Sequence, residues 1–452
     1  MGLVVDLFAG GGGVTQGLED AGLDVDIAVN HDREAIAMHA ANHPRTRHLL
    51  DDVWKVKPRV ATGGRRVRLL WASPNCTHFS RARGGKPRDL GNRSLSWSVV
   101  RWAREVRPDV IIGENVREWL DWGPLDENDQ PDKARAGESF RRWVRELERL
   151  GYVVEWRVLR ACDYGAPTTR ERVFLVARCD GLPIVWPAPT HGAVGNILGL
   201  EPYGSAASCI DWTLPVPSIF DRDRDLVEAT LNRLARGVRK FVLCDDPFLV
   251  ANDNAAATLI HLSNGERRGQ APRAYDIRDP LSTVVAGGVK HGLVVAFLAR
   301  HFGGNGTSGS DLREPMRTTT TQDHHALVTA TLDGRPDRSE QVAAFLTTYY
   351  STAIGSDLRA PLPTVTTRDR FALVMVKGAP HRITDIGMRH LVPRELARAN
   401  GFPDSYILDP LVDGKPLSRT AQVHKLGNCV CPVMARRLAE ANVCGRERRR
   451  AA

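Results

Sequence analysis

Between residues 3 and 178 short apolar runs alternate with amphipathic stretches. The runs at 3–8, 26–30, 67–72, 110–113, 153–159 and 173–177 have strand length, while residues 14–21, 32–42 and 138–150 read as helices between them. This alternation predicts an α/β fold: a doubly wound, mostly parallel, Rossmann-like sheet that binds ligands outside the carboxyl ends of its strands. After Pro183 the texture turns to Gly, Pro, Thr and Ser with short apolar runs. Helix signals return at 393–400 and 432–443.

A pattern recurs in the middle region. The segments 276–283, 311–318 and 357–364 share Asp-apolar-Arg-x-Pro-apolar-x-Thr, and each is followed by a Leu-Val pair: Leu293-Val294, Leu327-Val328 and Leu373-Val374. Two copies are flanked by apolar runs read as strands, Ala296-Phe297-Leu298 and Ala344-Phe345-Leu346. Hairpin-like units spaced by 35 and 46 residues predict a small β-rich module with variable loops.

Composition narrows the class. At 452 residues, with 42% hydrophobic and 25% charged positions, the chain is long enough for two or three packed domains, so disorder is not its dominant state. It has no apolar run of about 18 residues, and Met1 leads straight into a short strand-like run, so membrane insertion and secretion are not expected. The eight cysteines are scattered; Cys429 and Cys431 form the only close pair and have no zinc-ligand spacing, so reduced thiols and no metal are expected. Lys plus Arg is 62 against 53 acidic residues, a formal charge of +9, and only nine of the 62 are Lys. An Arg-rich basic chain fits a polyanionic partner, and a GC-rich genome also inflates Arg, so charge alone does not decide. The middle repeats are therefore either a stacking scaffold or a support for loops that reach a DNA groove with Arg267, Arg268, Arg300, His301, Arg317, Gln322, His324, Arg368 and Arg370.

The first chemical motif, Asp6-Leu7-Phe8-Ala9-Gly10-Gly11-Gly12-Gly13, runs from a strand through a glycine-rich turn into a helix. Such a turn lets backbone approach a ligand next to a helix N-terminus. Alone it fits a dinucleotide, another nucleotide-like cofactor or nothing, and the acid expected after the second strand is replaced by Asn30.

Together with this turn, the segments Asn75-Cys76-Thr77-His78-Phe79-Ser80, Gly113-Glu114-Asn115-Val116, Thr168-Thr169-Arg170-Glu171-Arg172, the run from Arg394 to Pro403, and Gly427-Asn428 resemble, in order and spacing, the cytosine-C5 DNA methyltransferases. The resemblance covers about 1–180 and 388–445 and leaves a variable middle where that family places target recognition. It implies a methyltransferase sheet and catalytic domain at 1–182 that binds S-adenosylmethionine, and a β-rich target-recognition domain at 183–387. A segment at 388–445 completes the catalytic domain, and a basic tail follows at 446–452. It further implies double-stranded DNA as partner, a monomer, a companion restriction endonuclease, and a cytoplasmic setting at the bacterial nucleoid or in a phage-infected cell.

The reaction accounts for the residue types. Cytosine C5 is a poor nucleophile, so a thiolate must add at C6 before C5 attacks a methylsulfonium; Cys76, in a polar loop after a buried strand, is the candidate. A small buried hydrophobe is the commoner fate of a cysteine. Negative charge then accumulates on the ring, and an acid at N3, Glu114, relieves it. By resemblance Arg172 holds the base O2, Arg170 braces the loop or a phosphate, and Asn115 belongs to the same catalytic motif. C6 is shielded in a duplex, so the base must rotate out of the stack. The loop 80–88, with Ser80, Arg81, Arg83 and Lys86, looks like a mobile lid on DNA, whereas an ordinary solvated loop has the same composition. Arg317 and Arg368 are the further DNA candidates. For the cofactor the resemblance implies Phe8, Gly10 and Gly12 in the loop, Asn30 and Asp32 near the ribose, Asp52 at the adenine amino group, and Asn428 closing the pocket.

Three departures stand out: Asn75 and Thr77 flank the nucleophile where the family has Pro and Gln, and Asn30 replaces an acid. A looser loop and a weaker ribose contact are the expected consequences. An RNA cytosine methyltransferase and a silent DNA-binding homologue share the fold; the long middle region favours duplex DNA, and the joint presence of Cys76, Glu114 and Arg172 argues against silence.

Overall fold

The computed structural model describes residues 2–74, 90–127, 130–193, 195–243, 258–261, 274–276, 291–300, 310–321, 325–332, 337–348, 373–376 and 379–444. The chain forms two compact units, one of Met1–Gly204, Pro315–Gln322 and Val392–Ala452, the other of Ser205–Glu314 and Asp323–Leu391. The division is thus not the simple 183–387 block read from sequence. Residues 315–322 return to the first unit because Met316 pairs backbone to backbone with Pro167 and Thr169, at 2.9 and 2.8 Å.

The first unit is built on a seven-stranded sheet: β1 (Leu3–Leu7), β2 (Ile27–Asn30), β3 (Arg47–Leu50), β4 (Val67–Ala72), β5 (Val110–Asn115), β6 (Val153–Arg160) and β7 (Glu171–Arg178), in the order β3-β2-β1-β4-β5-β7-β6. Strands β1 to β5 run parallel to one another, and β7 lies antiparallel between β5 and β6. The helices are α1 (Gly13–Asp20), α2 (Arg33–Asn42), α3 (Pro58–Thr62), α4 (Leu90–Val106) and α5 (Glu138–Arg149), followed near the C-terminus by Pro393–Ala399, Arg419–Asn428 and Pro432–Ala439.

The alternation of side chains across a strand sets the layers. On β1, Leu3, Val5 and Leu7 face one way and join Val99 and Trp102 of α4 and Trp143 and Leu147 of α5. Val4 faces the other way, with Leu69 and Ile112, against Val14 and Leu18 of α1 and Met434 and Leu438 of the C-terminal helix. Burial of both faces explains why the inner strands β1, β4 and β5 read as continuous apolar runs, and each buried Leu or Val contributes about 1.5–3 kcal/mol. The order reverses between β1 and β4, so the crevice of this sheet opens beyond their carboxyl ends.

The second unit holds a six-stranded antiparallel sheet in the order Ala274–Asp276, Thr258–His261, His291–Arg300, His325–Leu332, Ala379–His390 and Leu373–Val376. All three Leu-Val pairs lie in its strands. Helices Glu228–Phe241 and Ser339–Thr348 supply Leu234, Val238, Val342 and Leu346 to its core. The expected strand at Ala344-Phe345-Leu346 is instead part of the second of these helices: Val342, Phe345 and Leu346 have i, i+3, i+4 spacing and make one buried face. In the one described repeat copy, Asp311 caps a turn by accepting the Arg313 N–H at 2.8 Å, and Leu312 and Met316 are fully buried.

Candidate active site

The chain leaves β1 through a strained turn. Phe8 has φ 61, a left-handed backbone rare for an aromatic residue, and Gly10 and Gly12 follow at φ 54 and 97. Phe8, Asn30 and Asp52 line a pocket of about 290 Å³ together with Val29, His31, Asp51, Val53, Trp54, Ser94 and Leu95. Its aromatic side chains suit a flat heterocycle, and its carboxylates and the Asn30 amide suit amino and hydroxyl groups. The sequence reading missed His31, Asp51 and Trp54; their adjacency to Asn30 and Asp52 was the available signal.

The remaining cofactor candidates sit elsewhere. Gly10 and Gly12 shape the turn and are not in the pocket lining. Asp32 is the N-cap of α2, its carboxylate accepting the N–H groups of Glu34 and Ala35 at 2.9 and 3.2 Å and a short hydrogen bond from Lys425. Although burial opposes it, Lys425 and those two N–H groups hold the Asp32 carboxyl below its ordinary value. Asn30 accepts the Asp32 N–H at 2.9 Å, which ties the pocket wall to this cap. Asn428, the last residue of helix Arg419–Asn428, is exposed and outside the pocket lining.

A second niche lies at the carboxyl end of β5. Glu114 and Asn115 fall inside that strand, and Arg172 inside β7, rather than just beyond strand ends as read from sequence. Arg172 Nε is 3.2 Å from Glu114 Oε1, and Arg170, Phe174 and Cys431 are among the other residues of the walls. Burial pushes the Glu114 carboxyl up, while Arg172, Arg170 and a hydrogen bond from Ser73 pull it back; the net direction is upward. The Ser73 oxygen accepts Trp71 Nε1–H at 3.0 Å, and its own hydrogen is left for Glu114. Asn115 donates to the Pro74 carbonyl at 3.1 Å and accepts the Val116 N–H at 2.8 Å, fixing the backbone just ahead of Asn75 and Cys76. Burial pushes the Cys431 thiol up to about 11, so it is no nucleophile at neutral pH.

Arg170 is buried and donates to the Thr319 carbonyl at 3.2 Å, bracing the 315–322 segment. That segment also fits against Gly427, where an added Cβ would stand 2.3 Å from the Thr320 carbonyl carbon. Arg317, in the same segment, is exposed. Cys76, Ser80, Arg81, Arg83, Lys86 and Arg368 lie outside the described residues. Among the described residues no group of His, Cys, Asp or Glu is arranged to hold a metal, and no helix is long and apolar enough to cross a membrane.

The sheet with its single antiparallel strand, the glycine-rich turn at the switch point and the acid–arginine niche beside it define a Rossmann-like methyltransferase. The family model for C-5 cytosine-specific DNA methylase matches residues 3–193 and 313–444, and the chain belongs to that family. The chain is 28% identical over 213 residues to the Type II methyltransferase M.AquIA of Picosynechococcus sp., covering 44% of this chain and 82% of that protein. It is 30% identical over 194 residues to M.AgeI of Thalassovita gelatinovora (41% and 42%) and 29% over 232 residues to M.XorII of Xanthomonas oryzae (48% and 49%), so it spans about half of these two relatives. In fold it is similar to a Spodoptera frugiperda DNMT2 variant, with TM-score 0.52 at 14% identity over 98% of this chain and 99% of that one.

Proposed function

We propose that the chain is a DNA (cytosine-5-)-methyltransferase acting through a covalent adduct between Cys76 and C6 of a cytosine turned out of a duplex. The observation that carries this reading is the pairing of Glu114 with Arg172 at the end of β5, next to the backbone that Asn115 fixes before Cys76. A carboxyl raised by burial keeps its proton to higher pH than a free glutamate does, the direction an acid at cytosine N3 needs, and the arginine beside it suits the neighbouring O2. Cys76 supplies the electron pair to C6 and recovers it when the C5 proton leaves and the ring double bond re-forms.

S-adenosylmethionine fits the larger pocket and supplies the methyl group. Phe8 and Trp54 would hold its adenine by their rings, Asp52 its amino group, and Asn30 with Asp51 its ribose. Arg81, Arg83, Lys86, Arg317 and Arg368 are assigned to DNA, with Ser80 at the start of the lid, and the second unit's sheet to target recognition. The relatives named Type II methyltransferases support double-stranded DNA as substrate and a companion restriction endonuclease as partner.

The test is a trap. With 5-fluorocytosine in the target strand, fluorine cannot leave C5 as a proton does, so the adduct is stranded. A denaturation-resistant protein–DNA band that requires S-adenosylmethionine and disappears in Cys76→Ser supports the reading. Its absence in the wild-type protein on a site that becomes methylated would refute the covalent step.

A further inference from the structure

A buried polar chain beneath the glycine-rich turn has no part in the chemistry above. Tyr406, 2% exposed, donates its hydroxyl hydrogen to the Gly11 carbonyl at 2.5 Å. That oxygen has one hydrogen to give, so towards His43 it is the acceptor, taking Nε2–H at 3.2 Å. The other ring nitrogen, Nδ1, lies 2.9 Å from the Glu19 carboxylate. Glu19 belongs to α1, His43 is the C-cap of α2, and Tyr406 lies some 395 residues beyond Gly11, so three separate parts of the unit converge under one peptide group. The fit leaves no slack: a Cβ on Gly12 would stand 2.3 Å from the Tyr406 oxygen and 2.9 Å from His43 Nε2.

We propose that Tyr406, oriented by His43 and Glu19, is a positioning residue for the methyl donor. Fixing the Gly11 carbonyl fixes the peptide plane between Gly11 and Gly12, and Gly12 N–H in turn closes the turn onto the Ala9 carbonyl at 3.1 Å. A turn closed at that end holds Phe8 at its unfavourable φ of 61 and keeps its ring in the pocket wall. A conformation of this kind persists only where its surroundings over-determine it, and the tyrosine strut is what does so here. Without the hydroxyl the turn relaxes and the pocket loses an aromatic wall, while the Glu114 niche is untouched.

This inference rests on the reading of the pocket as the S-adenosylmethionine site. The experiment is titration calorimetry of the full-length protein with S-adenosylmethionine and, separately, with a target duplex, for the wild type, Tyr406→Phe, His43→Ala and His43→Gln. Losing one buried hydrogen bond predicts that Tyr406→Phe and His43→Ala weaken donor binding about threefold to tenfold, raise the KM for the donor by a similar factor, and leave kcat at saturation and duplex affinity within about twofold. His43→Gln, which keeps an N–H for the tyrosine oxygen, restores most of the donor affinity lost in His43→Ala. Wild-type binding matched by Tyr406→Phe would overturn the inference, as would parallel losses of donor and duplex affinity. A wild-type protein that takes up no donor would instead overturn the cofactor reading, and the strut's role with it.

Discussion

Arg172 Nε lies 3.2 Å from the Glu114 carboxylate, on neighbouring strands, with side chains only 16% and 8% exposed. A carboxylate this far from water is costly, and the arginine offsets only part of that cost, so the carboxyl retains its proton to higher pH than a free glutamate.

Glu114→Gln keeps the shape of the side chain and removes the acid. The expected result is a fall in kcat of about 10²–10⁴-fold with donor affinity nearly unchanged, read by transfer of labelled methyl groups to DNA.

The pH profile follows from the same pair. The acid form is populated below the folded pKa, so the rate falls as pH rises through it. Arg172→Ala removes a charge that lowers that pKa; the alkaline limb of kcat should move to higher pH even as the maximum drops. An unmoved limb would show that Glu114 is not the titrating acid.

Asp6 gives a stability prediction. Complete burial, larger in effect than the Thr15 hydrogen bond, raises its carboxyl from the ordinary 3.8 to about 8. The folded chain therefore keeps a proton that the unfolded chain releases, and Asp6 makes stability decline as pH climbs from 3.8 towards 8. Asp6→Asn should flatten that decline, measured as urea midpoints at pH 5, 6.5 and 8 (round settings spanning the window).

Lys425, 7% exposed at its side chain, joins the C-terminal segment to α2 through Asp32 and Glu34, the latter at 3.1 Å. Lys425→Met should cost about 1–3 kcal/mol at neutral pH, because two acids lose their partner. The difference from wild type should shrink as pH falls through the depressed Asp32 pKa, where the carboxylate gains a proton. Thermal denaturation at neutral and acidic pH checks both.

Gly427→Ala would drive a methyl group into the Thr320 backbone. A loss of about 1–3 kcal/mol is expected, together with faster proteolysis between 315 and 322, since the Arg170 anchor on Thr319 depends on that fit.

Much of the first unit was legible because its inner strands are buried on both faces: β4 was read with its observed ends, and β1, β2, β5 and β7 within a few residues, while the exposed edge strand β6 was read from its Val, Trp and Leu content. β3 escaped because Arg47, His48, Leu49 and Leu50 form an edge strand with neither a buried run nor a clean alternation. Glu114, Arg170, Arg172, Phe8, Asn30 and Asp52 were visible as motif residues, and the structure groups them into two niches. Asp32 was read near the ribose together with Asn30, and its carboxylate caps α2. What could not be read depends on distance along the chain: 149 residues separate Arg170 from Thr319, and 363 separate His43 from Tyr406.

The most direct test is mass spectrometry of nucleosides from plasmid DNA incubated with S-adenosylmethionine and either the wild-type protein or Cys76→Ala. The account predicts 5-methyldeoxycytidine with the wild type and none with the variant. Equal 5-methyldeoxycytidine from both, or methylation on another base or atom, would contradict it.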